Sequence, residues 1–163
     1  LCLIPAVREA TTLPLIAAGG IGTGEGIFAL MALGAEGVQM GTRFALTDES
    51  SASDIFKEYC LRLNEGDTKL LLKKLAPTRL VTNAFRERVE AAEGRGASAE
   101  ELRELLGRGR AKKGIFEGDL EEGELEIGQV AALFRRRQSV DEVMKELLEG
   151  YRRASDKIRS AGL

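Results

Sequence analysis

Histidine is missing from all 163 residues, and so is tryptophan. Histidine is the usual general base near neutral pH and the commonest metal ligand, so imidazole chemistry from this chain is excluded. The two cysteines, Cys2 and Cys60, lie far apart with no CxxC spacing. They support neither a zinc site nor a disulfide framework, and two buried or half-buried thiols are the simpler expectation. No apolar run approaches the roughly 20 residues of a transmembrane helix, and no basic-then-apolar signal region opens the chain. Charge of one sign is also lacking, because 24 basic against 26 acidic residues leave a net −2. Nucleic acid and an anionic membrane are therefore not expected partners. A small-molecule substrate and a cytoplasmic location are.

What is present, 44% hydrophobic and 31% charged residues, suits a globular protein with one real core. The opening segment LCLIPAVREATT has no initiating methionine and looks like the middle of a fold, so the expectation is a C-terminal fragment. Residues 7–10 read as the end of a short helix. The apolar run Leu15-Ile16-Ala17-Ala18, ended by Gly19-Gly20, reads as a strand buried on both faces. Residues 24–33 then place Ile27, Phe28, Leu30 and Met31 at helical spacing, with Gly34 as the stop, and residues 37–44 give a second strand and a Gly-Thr turn. Strand, glycine loop, helix, strand and glycine turn in about thirty residues make a βαβ unit with parallel strands.

Beyond Phe44 the pattern predicts an all-helical insertion. Helices are expected at about 51–63, at about 83–93 with Asn83 as cap and Gly94 as stop, and at 98–107 behind the capping box Ser98/Glu101. Residues 108–128 have no clean period and read as loop with one short helix. A final helix at about 139–160 opens with Ser139/Glu142 and carries an apolar stripe from Val140 to Ile158.

Five glycines crowd into GGIGTGEG between the first strand and its helix. Glycine lets backbone N–H groups approach an anion, and a helix N-terminus adds unsatisfied donors and a positive dipole end. One such turn is weak evidence, because glycine-rich turns are as often tight connections. The second turn, Gly41-Thr42, follows the next parallel strand on the same side, and that pairing matches the phosphate site after strands 7 and 8 of a (β/α)8 barrel. A Rossmann site is less well supported, since no acidic residue sits about 20 positions on at the end of a following strand. The fold class expected is α/β, the C-terminal part of a (β/α)8 TIM barrel with a helical lid inserted after the last strand. Its divisions would be residues 1–44 for the last strands, 45–125 for the lid, and 126–163 for the return to the active site and the final helix.

The stretch PLIAAGGIGTGEGIFALMALGAEGVQMGTRF resembles the flavin-phosphate region of the nitronate monooxygenases (2-nitropropane dioxygenases) and the related FMN-dependent enoyl-acyl-carrier-protein reductases. The later GDLEEGELEIGQVAAL resembles the stretch where those chains return to the active site after a helical insertion. The resemblance covers essentially the whole chain. It implies that Gly20, with Gly19 in the same turn, and Gln39, Met40, Gly41 and Thr42 contact the FMN phosphate and ribityl chain, with Ala18 near the flavin. It implies that Gly128 and Gln129 lie on the substrate side. It also implies that the flavin-ring contacts and the histidine base come from upstream of Leu1, so no catalytic residue is expected here and the chain alone should be inactive.

Other polar features have plain structural readings. Arg108, Arg110, Lys112 and Lys113, like Arg135-Arg136-Arg137, fit solvated loop, and Glu25 fits dipole complementation in a first helical turn. Gln39 and Gln129 are harder to dismiss, because an amide in a buried strand or beside a glycine needs a partner. The leading functional expectation is oxidative denitrification of alkyl nitronates by flavin and oxygen in the full-length parent. Enoyl-thioester reduction and a non-catalytic phosphate-binding half-barrel stay open. No metal is expected. A homodimer is compatible with the full-length protein, and the sequence does not fix the oligomeric state.

Overall fold

The computed structural model describes residues 2–162. They divide into two compact units, residues 1–49 with 138–163, and residues 50–137. These limits differ from the divisions expected at 44/45 and 125/126.

The first unit contains the βαβ arrangement. Helix α1 (Leu3–Ala10) leads to strand β1 (Ile16–Ala18), helix α2 (Gly24–Ala32) and strand β2 (Gly37–Gln39). β1 and β2 pair in parallel with Ile16 opposite Gly37, Ala17 opposite Val38 and Ala18 opposite Gln39. Ala17, Ile21 and Ala35 form a small core against which Ile4, Ile27, Leu30, Val38 and Met40 pack. Thr23 caps α2 by accepting the Gly26 N–H.

The expectation of strands buried on both faces is corrected. Ile16 is 55% exposed, and Ala18 and Gln39 are exposed, whereas Ala17 is buried. Among the described residues this sheet has two strands.

After the four-residue helix α3 (Thr42–Ala45), this unit resumes at the long helix α7 (Val140–Ser160), whose capping box Ser139/Glu142 is present as expected. α7 crosses α2 at two glycines. A Cβ on Gly24 would lie 2.1 Å from the Leu147 carbonyl oxygen and 2.3 Å from the Tyr151 nitrogen, so the helices meet backbone to side-chain-free backbone. Phe28 and Tyr151 close the crossing edge to face, with centroids 5.6 Å apart. Only part of the predicted α7 stripe is covered. Val143 and Leu147 are buried, while Met144 and Leu148 stay half exposed along an apolar groove shared with Ile27, Val38 and Met40.

The second unit opens with α4 (Asp54–Cys60), capped by Ser53. The expected all-helical character fails at residues 68–81. Strands β3 (Thr68–Leu71) and β4 (Thr78–Val81) form an antiparallel ribbon. Helices α5 (Ala84–Gly94), capped by Asn83, and α6 (Ala99–Leu106), with the Ser98/Glu101 capping box, follow where they were expected. Leu71, Leu72, Leu80, Phe85 and Val89 make the core of this ribbon and α5. A π turn, Lys112–Phe116, lies within the stretch 108–128 read mainly as loop, and a 3-10 turn, Gln129–Leu133, follows it. Between them residues 125–127 run beside β4, since Val81 donates to the Leu125 carbonyl at 3.0 Å and Ile127 to the Arg79 carbonyl at 3.4 Å.

Candidate functional site

The two glycine turns project from the same, C-terminal ends of two hydrogen-bonded parallel strands. The first is Gly19-Gly20, directly after Ala18. Both glycines hold left-handed backbone, with φ +93° and +71°. Such a bend is open to glycine at little cost, and it reverses the chain within two residues. The second is Gly41-Thr42, two residues after Gln39. Its φ is −89°, and the Gly41 carbonyl accepts from the Phe44 and Ala45 N–H groups at 3.1 and 2.9 Å.

Open space distinguishes these three glycines from Gly24 and Gly26. No heavy atom lies within 4 Å of a Cβ built on Gly19, Gly20 or Gly41. The run GGIGTGEG therefore splits by role. Gly19 and Gly20 face free volume, while Gly24 is a packing glycine that lets α7 approach. Backbone N–H groups and a threonine hydroxyl, the donor types found at the two turns, are of a chemistry that suits an anion.

The expected site residues are brought together unequally. Ala18 and Gln39 sit opposite one another in register, and both are exposed on the face away from α2. Gln39 is thus available to a ligand, but the burial argument for it is withdrawn, because an exposed amide can be satisfied by water. Met40 is at the right place in the chain, yet its side chain lines the apolar groove and packs on the Ala17 core. Its backbone alone is left for a ligand. Thr42 is half buried at the start of α3. Gly128 and Gln129 belong to the other unit, where Gly128 is the half-buried residue preceding the 3-10 turn and Gln129 its exposed first residue. The burial argument for Gln129 is withdrawn as well.

The charged groups near α2 act structurally. Glu25 meets Arg153 of α7 at 3.2 Å, and its carboxyl is held below the usual range first by the helix N-terminal backbone and then by that arginine. The basic loop resolves in the same way. Arg110 donates to the Leu106 and Glu122 carbonyls at 2.8 and 2.7 Å and lies 4.5 Å over the Phe85 ring, while Lys112 pairs with Glu117 and Lys113 with Asp119. Cys60 is fully buried, and burial pushes its thiol up to about 12, whereas Cys2 is exposed. The described residues hold no group of three or more metal-ligating side chains. No described helix is long and apolar enough to cross a membrane.

Sequence reasoning missed a side-chain cluster behind the second turn. Arg43, 5% exposed, donates from Nη2 to Gln138 Oε1 at 3.0 Å and to Glu146 Oε2 at 2.8 Å, and Gln138 Nε2 donates to the same carboxylate oxygen at 2.9 Å. These residues are 95 and 103 positions apart in the chain. No local pattern could have announced them.

The family model for nitronate monooxygenase matches residues 1–150. The chain belongs to the nitronate monooxygenase family. A "Probable nitronate monooxygenase" of Staphylococcus aureus (strain JH9) is 41% identical over 95 residues, which is 56% of this chain and 26% of the relative. Among solved structures, FabK from Thermotoga maritima superposes with a TM-score of 0.89 at 33% identity, covering 98% of this chain and 50% of FabK. Nitroalkane oxidase from Streptomyces ansochromogenes gives 0.77 at 30% identity, over 96% of this chain and 44% of the oxidase. The enoyl reductase domain of MlnA from Bacillus amyloliquefaciens shares the fold, with a TM-score of 0.67 at 16% identity. The chain thus spans about a quarter of the matched curated relative and about half of the FabK chain. Its α/β fold is shared with FabK and with nitroalkane oxidase.

Proposed function

We propose that residues 1–163 supply the phosphate end of an FMN site in a (β/α)8 barrel oxidoreductase that oxidises alkyl nitronates. One observation carries this reading. Two glycine turns with open volume above them stand at the same ends of adjacent parallel strands, the arrangement by which barrels hold a phosphate after strands 7 and 8. Family membership supplies the chemistry expected around it.

On this proposal the N–H groups around Gly19, Gly20 and Gly41, with the Thr42 hydroxyl, fix the phosphate, and Gln39 and Ala18 line the path toward the ring. FMN, when bound, accepts electrons from an activated carbon; the protein's part is to bind, orient and tune it. Gly128 and Gln129 are carried over from the sequence resemblance as substrate-side residues. Enoyl-thioester reduction, which the sequence resemblance leaves open, is the second reading.

The test is Gly41→Asp in the full-length parent. A carboxylate placed in the open volume over the turn should repel the phosphate, giving colourless protein. Yellow, FMN-loaded protein after that change would overturn the proposal.

A further inference from the structure

The phosphate reading leaves a mechanical question at the second turn. The Gly41 carbonyl accepts from the Phe44 and Ala45 N–H groups at 3.1 and 2.9 Å, so the turn is tied to the four-residue helix α3 and its position depends on what holds α3. An anion site is strong only where its donors are held in place before the ligand arrives. Restraint has to come from the residues just beyond the turn.

Resting on that phosphate reading, we propose that Arg43 is a positioning residue that locks the Gly41-Thr42 turn through Gln138 and Glu146. Arg43 follows Thr42 directly, and its Nη2 donates to two acceptors, one on the segment entering α7 and one on α7 itself. The third side of the triangle, Gln138 to Glu146, ties those acceptors to each other at 2.9 Å. The main chain repeats the connection. The Asp48 N–H donates to the Gln138 carbonyl at 3.0 Å, Thr47 and Gln138 form a parallel bridge, and the Glu49 carboxylate accepts the Val140 N–H at 2.9 Å. Residues 43–49 are thus strapped to the start of α7, the longest helix among the described residues, which is itself seated on α2 through Gly24 and Gly150. An arginine is suited to this place because its rigid, planar guanidinium holds the donating Nη2 in a fixed position, whereas a lysine ammonium swings on a flexible stem.

Binding to the turn and folding of the unit can be separated by following individual amides. The chain of residues 1–163, labelled with nitrogen-15, is titrated with FMN while the Gly19, Gly20, Gly41 and Thr42 amides are observed. In the unaltered chain both turns should shift together. Arg43→Met should weaken FMN binding about tenfold and lower the order parameter of Gly41 and Thr42, while Gly19 and Gly20 keep theirs. Arg43→Lys, keeping a positive charge beside Glu146 but not the rigid guanidinium, should recover part of the affinity. If Arg43→Met does not fold, Glu146→Gln carries the comparison, since the Glu146 side chain is 54% exposed and its loss leaves no buried charge at its own position. Unchanged affinity together with unchanged order at Gly41 and Thr42 would overturn the positioning role and leave the phosphate reading standing. Equal loss of order at both turns would also overturn it, marking Arg43 as a part of the fold alone. Absence of any shift at either turn in the unaltered chain up to about 10 mM FMN, beyond the millimolar range where binding is worth ~4 kcal/mol, would overturn the phosphate reading and the positioning role with it.

Discussion

Replacing Gly24 with alanine adds one methyl group, at the point where α2 meets α7. That methyl would stand 2.1 Å from the Leu147 carbonyl oxygen, 2.3 Å from the Tyr151 nitrogen and 2.7 Å from the Gly150 carbonyl carbon. All three are main-chain atoms inside a long helix and cannot rotate away. To restore ordinary contact, α7 must retreat by about an ångström or more, which loosens Val143 and Leu147, now 1% and 3% exposed. Overpacking of this kind costs about 1–3 kcal/mol, and the rigidity of the obstructing atoms puts the expectation at the upper end. Two neighbouring glycines serve as controls. A Cβ on Gly26 meets only the Thr23 hydroxyl at 3.4 Å and Ile21 at 3.9 Å, and a Cβ on Gly150 meets the exposed, movable Glu25 carboxylate. Alanine at either should be neutral or stabilising by up to ~1 kcal/mol, because glycine inside a helix is costly. Urea denaturation of the three variants, followed by far-ultraviolet circular dichroism, decides the matter. A Gly24→Ala variant as stable as Gly26→Ala would refute the packing account.

A second expectation concerns pH. Glu124 is 7% exposed, and burial, with the neighbouring Glu126 second, pushes its carboxyl up to about 7 from 4.5. Below pH 4.5 it is neutral folded and unfolded alike. As pH rises towards 7 the unfolded chain ionises first and stability falls, by at most about 3 kcal/mol. Glu124→Gln should flatten that fall between pH 5 and pH 8, and an unaltered stability profile would show that the group is not protonated by its surroundings. A third expectation concerns turnover. With no histidine in the chain and two parallel strands among its described residues, residues 1–163 with added FMN should consume no oxygen with a nitronate, and oxidise no reduced nicotinamide with an enoyl thioester, beyond free FMN. Activity in either assay would contradict the proposal that the rest of the site lies elsewhere.

Local signals were legible in the sequence, and long-range ones were not. The two capping boxes and the Asn83 cap could be read because their partners are three residues apart. The βαβ unit could be read because glycine follows each apolar strand. The ribbon at 68–81 could not. Its sequence, TKLLLKKLAPTRLV, lacks alternation, and the chain turns at Leu72, which holds φ +56° without the glycine or asparagine that normally signals such a turn. The Gly94 stop was close but displaced, since the left-handed residue past α5 is Gly96, at φ +83°. The exposure of Gln39 was invisible for a different reason: an apolar strand reads as buried whether or not its own chain supplies the covering layer.

Glycines in GGIGTGEG look alike in sequence, yet their substitutions would report different things. At Gly19 and Gly20 the positive φ makes any side chain strained, so lost binding after substitution there mixes a missing donor geometry with a distorted turn. At Gly24 the obstruction is α7, so lost binding would follow from lost packing. Among the three glycines with open volume at the two turns, Gly41 alone has a negative φ, −89°. A side chain can be added there without left-handed strain and without a neighbour to displace. Alanine at Gly41 should therefore leave stability within about 0.5 kcal/mol, whereas aspartate at the same position should remove the anion while the fold persists. If Gly41→Ala unfolds the chain as readily as Gly24→Ala, the turn is a packing element, and the separation of binding from folding drawn at this position is lost.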